Sequence, residues 1–295
     1  MTEGELTAAA SGVFAIGRNV AVTRLGFGAM RMTGPGGWGE PPDRDAAIRV
    51  LRRAADLGVD FIDTADSYGP NASEELIREA LHPYRGITVA TKGGLVRTGP
   101  GQWRADGRPE RLRECAEMSL RRLGLDTIDL YQLHGIDPQV PAADQIGALD
   151  ALRKEGKIRH IGLCDVSADD LSEARLTAPV ASVQNPYHLA DRRYEAVVDY
   201  CEREGLGFLA CSPLALTGAG RRAHNSGPLA RLARETGSTT VQLALAWLLR
   251  RSPVLLPIPG TCSIAHLEEN IVAAELELTD EEFGALCELA GPGSG

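Results

Sequence analysis

The sequence predicts a single (β/α)8 barrel domain over residues 1–295. Short apolar runs rich in β-forming residues alternate with longer segments of helical periodicity, which is typical of βα units around a parallel sheet. Eight such units follow one another without a linker-like change in composition, and this number favours a closed (β/α)8 TIM barrel over an open, doubly wound sheet. The predicted strands are LGFGAM from Leu25, FIDTA from Phe61, ITVATK from Ile87, IDLYQLH from Ile128, IRHIGL from Ile158, SVQNPY from Ser182, GFLACSPL from Gly207 and VLLPIP from Val254.

Segments at both ends extend the predicted barrel. The run VFAIGRNVAVTRL predicts an N-terminal β-hairpin that turns at Gly17-Arg18-Asn19 and caps the barrel floor. After the last strand, TDEEFGALCELA predicts a C-terminal extra helix that begins near Thr279, with Glu282 in the capping-box position. Residues 1–12 are predicted to be disordered.

Composition narrows the class of protein. A hydrophobic content of 43% suits a globular chain with a substantial core. No apolar run reaches the length of a membrane span, and the start MTEGELTAAASG lacks the features of a secretory signal, so we expect a cytoplasmic protein with no membrane partner. The net charge of -9 argues against a nucleic-acid partner, because binding phosphates requires excess Lys and Arg. The six cysteines form no C-x-x-C pair and the histidines show no ligand spacing, so we expect reduced thiols and no metal site.

Polar residues at the downstream ends of predicted strands form the strongest functional signal. Asp63, Lys92 and His134 end three successive strands at positions where a core strand would continue apolar. Each alone could be a satisfied core polar group. Burying all three costs several kcal/mol unless they interact, so together they favour a catalytic site at the carboxyl-terminal rim of the barrel.

Tyr68 completes this set, because it follows Asp63 in the loop that leaves the second strand. A free phenol titrates near pH 10, and we expect the ammonium group of Lys92 to lower the pKa of Tyr68. Asp63 can hold Lys92 protonated, and His134 can donate a hydrogen bond to an oxygen on which negative charge grows.

Two signals for ligand binding are open to a second interpretation. Gly26-Phe27-Gly28 begins like a dinucleotide-binding loop, but Arg31 stands where the third glycine belongs, so we interpret these glycines as packing residues. Trp38 and Trp103 lie in Gly/Pro-rich loops after the first and third strands. Each tryptophan either lines the substrate site or anchors its loop by burying its ring.

The same motifs resemble the aldo-keto reductase superfamily. The similarity extends from Leu25 to about Leu289 and is carried by FIDTADSYG, VATKGG, DLYQLHGID, SVQNPYHL and IPGTCSIAHLEEN. It implies a reductase that uses NADPH to reduce a small-molecule aldehyde or ketone. In that reaction Tyr68 is the general acid, Lys92 and Asp63 tune its acidity, and His134 orients the carbonyl group.

The resemblance also implies how nicotinamide is held. In the family, a GVSNF-like segment after the fifth strand binds the carboxamide, and the matching residues here are Cys164 and Asp165, with Gln184 on the next strand. Asp165 can accept from the amide, whereas a thiol is a weak donor. The family's A-Y-S-P-L run lacks its aromatic residue here, so another group stacks on the ring or the ring is held more weakly. The matching contacts are Cys211, Ser212, Pro213 and Leu214.

At the phosphate end, Gly260-Thr261-Cys262-Ser263 opens the helix after the eighth strand. Helix N-termini bind phosphate, although Ser263 would equally serve as an ordinary N-cap. The family often has lysine at the position of Gly260 and arginine at that of His266. We expect that NADPH is nevertheless selected, with NADH as the alternative. The expected phosphate contacts are Thr261, Ser263 and His266, helped by Arg221 or Arg222. Glu269 and Asn270 are expected to contact adenine. The alternative is that both are surface residues of the helix.

The predicted function is reduction of an aldehyde or ketone, with Tyr68 as proton donor. A second hypothesis is a nicotinamide-binding regulatory or adaptor subunit with little turnover, which the altered Cys164, Asp165 and Cys211 support and the complete set of four catalytic residues opposes. The same groups would also serve alcohol oxidation. The overall pattern resembles bacterial members related to pyridoxal reductases.

Overall fold

The computed structural model describes residues 6–214 and 227–289, and in this part of the chain strands alternate with helices as the periodicity predicts. The strands are β1 (Val13–Ile16), β2 (Val20–Thr23), β3 (Phe27–Gly28), β4 (Phe61–Asp63), β5 (Thr88–Gly93), β6 (Leu95–Gly99), β7 (Gln102–Ala105), β8 (Ile128–Leu133), β9 (Ile158–Cys164), β10 (Val180–Pro186), β11 (Gly207–Cys211) and β12 (Leu255–Pro257). The α-helices are α1 (Arg44–Asp56), α2 (Ala72–Leu81), α3 (Pro109–Leu123), α4 (Ala142–Lys154), α5 (Ala168–Thr177), α6 (Glu195–Glu204), α7 (Pro228–Thr236), α8 (Thr240–Arg251), α9 (Ile264–Val272) and α10 (Asp280–Glu288).

Eight parallel strands form the barrel in the order β3, β4, β5, β8, β9, β10, β11, β12. The first and last strands approach each other through the Gly26 amide, which donates to the Pro257 carbonyl at 3.0 Å, and the Gly28 amide, which donates to Pro259 at 3.4 Å. A side chain at Gly28 would place its Cβ 2.6 Å from the Ile258 carbonyl oxygen, so only glycine allows this contact. The predicted (β/α)8 barrel is confirmed, and these glycines are packing residues.

The N-terminal hairpin closes the amino-terminal end of the barrel. Strands β1 and β2 pair antiparallel across the predicted turn. Ile16 and Val22 pack with barrel residues such as Phe61 and Leu256 in one buried cluster. The predicted cap on the floor is therefore confirmed.

Residues 8–11 differ from the prediction that residues 1–12 are disordered. They form a 3-10 helix in which Ala8 is buried. The Ser11 hydroxyl donates to the Ala8 carbonyl at 2.6 Å and accepts from the Leu25 amide at 3.0 Å. Tertiary contacts order this segment, and the local sequence carries no signal of them.

Capping chemistry fixes the ends of several helices. Helix α3 has Pro109 in its first turn and is followed by Gly124 at a φ of 69°, a left-handed conformation that suits glycine. Helix α10 begins after Thr279, whose hydroxyl and the Glu282 carboxylate form the predicted capping box. Within the described ranges, no helix is long and apolar enough to cross a membrane.

Candidate active site

Asp63, Tyr68 and Lys92 form one hydrogen-bonded group at the carboxyl-terminal rim of the barrel. Asp63 ends β4 and Lys92 lies near the end of the neighbouring β5, so parallel pairing brings their side chains together. Lys92 Nζ lies 2.6 Å from Asp63 Oδ2, 2.8 Å from the Thr64 carbonyl oxygen and 3.3 Å from the Tyr68 hydroxyl. The ammonium group therefore connects the carboxylate to the phenol.

Asp63 is fully satisfied in its buried position. Its Oδ1 accepts from Gln132 Nε2 at 2.9 Å and from Gln184 Nε2 at 2.8 Å, while Oδ2 accepts from Lys92. Lys92 itself is 0% exposed. Since an unpaired charge is costly in such surroundings, these bonds lock the geometry of the group. The sequence missed Gln132, although it is a polar residue on a barrel strand like the other members.

The pKa of Tyr68 differs from the sequence expectation. Burial raises the pKa of the phenol above its ordinary value, and the charge of Lys92 opposes this rise without overcoming it. The prediction that Lys92 brings the pKa of Tyr68 down is therefore wrong in its net direction. Burial lowers the pKa of Lys92, but Asp63 and Tyr68 outweigh that effect and raise it overall. Tyr68 remains protonated at neutral pH, which is the form a proton donor needs.

His134 lies beside the phenol as a neutral ring. It directly follows β8, and its ring centroid is 5.8 Å from that of Tyr68 in an edge-to-face arrangement. Burial and the charge of Lys92 hold the pKa of His134 well below its usual value. Its Nδ1 lies 3.3 Å from the Ser67 hydroxyl oxygen. The four predicted catalytic residues thus converge at one rim of the barrel.

A cavity of about 510 Å³ opens above these residues and contains most of the predicted nicotinamide contacts. Tyr68 and His134 line it together with the apolar residues Met30, Leu95 and Ala105. Its remaining wall includes the residues that the sequence assigns to cofactor binding: Cys164, Asp165, Gln184, Cys211, Ser212, Pro213, Leu214 and Gly260. Burial raises the pKa of Cys211 to about 12, so this residue is present as a neutral thiol.

The predicted phosphate site lies at the start of α9. The Ser263 hydroxyl accepts from the His266 amide at 3.5 Å, and the Thr261 hydroxyl accepts from the Ser263 amide at 3.1 Å. Ser263 is thus the N-cap, and its hydroxyl is engaged by its own helix. His266 is exposed, Glu269 is half-buried and Asn270 is buried. None of these five lines the cavity, and Arg221 and Arg222 lie outside the described residues.

Arg31 is a cation that the sequence did not assign to this end of the cavity. Its side chain is exposed and lines the cavity next to Gly260, since a Cβ at Gly260 would lie 3.8 Å from Arg31 Cγ. It forms no ion pair with any described residue. Arg31, which stands where a dinucleotide-binding loop would have its third glycine, therefore places a free positive charge beside the turn that precedes α9.

Trp38 and Trp103 hold a buried arginine and do not line the cavity. The Arg97 guanidinium lies 3.7 Å from the Trp103 ring centroid and 5.6 Å from that of Trp38. Arg97 also donates to the carbonyls of Gly36 and Gly37, both at 2.9 Å. Both rings thus contact Arg97, which ties their loops together. The Trp103 ring is 38% exposed, so it does not anchor its loop by burial, and a contact of either tryptophan with substrate stays a prediction.

The loop after β5 contains a hairpin that the sequence analysis missed. Strands β6 and β7 pair antiparallel around Gly99-Pro100-Gly101, and Arg97 and Trp103 face each other in this pair. Alternating residues on both sides of a Gly-Pro-Gly turn are the signal that predicts such a hairpin. The Trp103 ring lies 6.1 Å from that of His134, so the hairpin supports the wall of the active site.

A second buried polar cluster lies behind the Tyr68 loop. The Glu74 carboxylate accepts from the Thr91 hydroxyl at 2.6 Å and from Arg122 Nε at 2.5 Å. Asp66 is 7% exposed, and its Oδ1 has no hydrogen-bond partner within the described part of the chain. Burial, together with the charge of Glu74, raises the pKa of Asp66 to about 7. Asp66 immediately precedes Ser67 and Tyr68 in the sequence.

Comparison with known proteins assigns this site to a family. The family model described as "Aldo/keto reductase family" matches residues 24–290. The chain belongs to the aldo/keto reductase family. It is therefore an NAD(P)H-dependent oxidoreductase of this type, as the sequence motifs imply.

Curated relatives in the aldo/keto reductase family cover nearly the whole chain. An uncharacterised oxidoreductase of Schizosaccharomyces pombe is 51% identical over 270 residues, with 92% of this chain and 87% of that protein covered. Pyridoxine 4-dehydrogenase of Escherichia coli is 41% identical over 283 residues, with 94% and 97% covered.

Solved structures show the same fold. An aldo-keto reductase from Klebsiella pneumoniae in complex with NADPH has a TM-score of 0.81 at 28% identity, and 96% of both chains is covered. The glycerol dehydrogenase from Gluconobacter oxydans has a TM-score of 0.85 at 28% identity, with 95% of both chains covered.

Proposed function

We propose that this protein uses NADPH to reduce an aldehyde or ketone to an alcohol, with Tyr68 as the proton donor. The observation that carries the proposal is the ammonium group of Lys92, which joins Asp63 to the Tyr68 hydroxyl beside a neutral His134. This arrangement offers a proton and a hydrogen-bond donor to one oxygen atom. The bound dinucleotide supplies the hydride.

Proton transfer is assigned to Tyr68 because its phenol is protonated and hydrogen-bonded to a cation. As the proton leaves for the carbonyl oxygen, the developing phenolate is stabilised by Lys92 at 3.3 Å. Asp63 keeps the ammonium in place, and its own charge is shared with two glutamine amides. Lys92 and Asp63 therefore act through Tyr68.

His134 is assigned to hold the carbonyl group. A neutral imidazole carries one N–H, and an acceptor role for Nδ1 toward the Ser67 hydroxyl leaves that proton on Nε2. We assign this tautomer because it turns a donor toward the cavity. Ser67 then acts as a positioning residue for His134.

The described residues fit a dinucleotide. The cavity is continuous from the catalytic group to Gly260, so a ligand can reach both ends of it. Asp165 and the side-chain oxygen of Gln184 provide acceptors for a carboxamide, since Gln184 Nε2 already donates to Asp63, and the first turn of α9 offers amides to phosphate. Arg31 supplies the positive charge that favours NADPH. Glu269 and Asn270 remain assigned to the adenine end.

The 41% identical relative, pyridoxine 4-dehydrogenase, suggests pyridoxal as the first substrate to test. The lining by Met30, Leu95 and Ala105 suits a neutral aromatic or aliphatic aldehyde. The test is the loss of NADPH absorbance with pyridoxal and a panel of neutral aldehydes, with Tyr68→Phe as the control. Turnover that the substitution abolishes supports the proposal. Tight NADPH binding without turnover of any carbonyl compound would favour the adaptor function instead.

A further inference from the structure

Asp165 is a carboxylate held at the wall of the active-site cavity. It directly follows β9, and its amide donates to the Gln184 carbonyl at 3.0 Å, which ties it to the end of β10. Its φ of 55° is left-handed, a conformation that Asp and Asn tolerate better than most residues. The residue is exposed and lines the same cavity as Tyr68 and His134.

The negative charge of Asp165 has no direct counterion among the described residues. Its Oδ1 accepts from the Tyr194 hydroxyl at 2.6 Å, and no Lys or Arg there lies within ion-pair distance. The Arg193 guanidinium is paired with Asp191 and interacts with Asp165 only beyond ion-pair distance, so it offsets part of the Asp165 charge without neutralising it. Asp63, in contrast, is balanced by Lys92. The cavity therefore carries a net negative charge on this wall.

The charge of Asp165 should interact differently with the oxidised and the reduced nicotinamide ring. The oxidised ring is a cation, whereas the reduced ring is neutral. A nicotinamide ring that gives hydride to a carbonyl carbon held at Tyr68 would have to lie in the cavity that Tyr68 and Asp165 both line. A carboxylate there interacts more favourably with the cation than with the neutral ring, and the exposure of Asp165 to water limits the size of the difference.

We infer that Asp165 makes the site bind NADP⁺ more tightly than NADPH and thereby makes bound NADPH a stronger reductant. This inference rests on the proposed function. In the reaction, hydride leaves the reduced ring for the carbonyl carbon, the proton of Tyr68 goes to the carbonyl oxygen, and the ring becomes the cation that Asp165 stabilises. Release of NADP⁺ is slowed by the same interaction.

The inference is tested by the dissociation constants of NADP⁺ and NADPH, measured by titration without a carbonyl substrate. Asp165→Asn keeps an acceptor for Tyr194 and removes only the charge. We expect it to raise the Kd of NADP⁺ relative to that of NADPH by roughly threefold to tenfold, as for one partly hydrated charge. Asp169→Asn, an exposed residue of α5 outside the cavity lining, removes the same charge and should leave the ratio unchanged.

Tyr194→Phe should change the preference for NADP⁺ in the opposite direction to Asp165→Asn. It removes the hydroxyl that donates to Asp165. The carboxylate then loses one stabilising hydrogen bond and interacts more strongly with the nicotinamide cation, so the preference for NADP⁺ should increase. If the ratio of the NADP⁺ and NADPH dissociation constants is the same in Asp165→Asn as in the wild type, the inference is overturned and the proposed reductase function still stands. Equal shifts in Asp165→Asn and Asp169→Asn would also overturn it. Failure of the wild type to bind either cofactor would overturn the proposed function itself.

Discussion

Replacement of Asp66 by asparagine should change how the stability of the protein depends on pH. The carboxyl group of Asp66 is buried, and burial with the charge of Glu74 raises its pKa to about 7 from 3.8. Because the folded state holds this proton more tightly than the unfolded state, the protonated carboxyl favours folding. That stability is greatest at low pH and is lost as pH rises toward 7.

The size of the effect follows from the two pKa values. Each unit of pH between them is worth about 1.36 kcal/mol for one proton, and the folded-state carboxyl is half ionised at pH 7, so the loss from pH 5 is roughly 2 kcal/mol by pH 7 and roughly 3 kcal/mol by pH 8. Above pH 8 the folded-state carboxyl is ionised and the contribution no longer changes. Asp66→Asn cannot ionise and should lack this dependence.

The assay is urea unfolding of the wild type and Asp66→Asn between pH 5 and pH 8.5. The variant should gain stability relative to the wild type by roughly 2 kcal/mol as pH rises from 5 to 7 and by roughly 3 kcal/mol at pH 8, with no further gain above that pH. Any constant packing cost of the substitution cancels from this comparison across pH. A stability difference that stays constant over the whole range would refute the assignment of Asp66 as the titrating group.

Three further substitutions test residues that line the cavity or lie around it. Arg31→Gln should weaken NADPH binding by about tenfold in calorimetric titrations and reduce the salt dependence of binding. Arg49→Gln on the outer helix α1 should change neither, and equal effects of the two substitutions would contradict a contact between Arg31 and NADPH. Arg97→Met leaves buried carbonyls unpaired and should lower the free energy of unfolding by about 2 kcal/mol; unchanged denaturant midpoints would contradict it. Ser67→Ala should lower kcat by roughly tenfold through a misoriented His134 with the Kd of NADPH unchanged; a loss confined to cofactor binding would be evidence against it.

The barrel was predictable because it depends on patterns that are local in sequence. Alternating strand and helix periods give eight βα units, and Pro109, Gly124 and Thr279 mark helix ends by their own backbone chemistry. The strand β3 is shorter than the predicted LGFGAM, because the chain turns into a 3-10 helix at Ala29. Local patterns do not report where such a tertiary turn begins.

The convergence of Asp63, Lys92 and His134 was also predictable, since strand-end positions of parallel strands meet at one rim. Its electrostatics were not, because the pKa of Tyr68 depends on a balance between burial and the charge of Lys92 that only coordinates show. The contact of Arg97 with Trp38 and Trp103 joins residues from two loops, and the Asp66 cluster joins α2, α3, β5 and the loop after β4. No single stretch of sequence contains either arrangement.

The central claim is that Lys92 acts on the reaction through Tyr68. A double-mutant cycle measures it directly, with single-turnover rates of aldehyde reduction by the NADPH-loaded wild type, Tyr68→Phe, Lys92→Met and the double variant. Loss of the proton donor should cost roughly a hundredfold or more. If the two residues act as a unit, the double variant is no slower than Tyr68→Phe alone. Rate losses that multiply in the double variant would show independent roles and contradict the account.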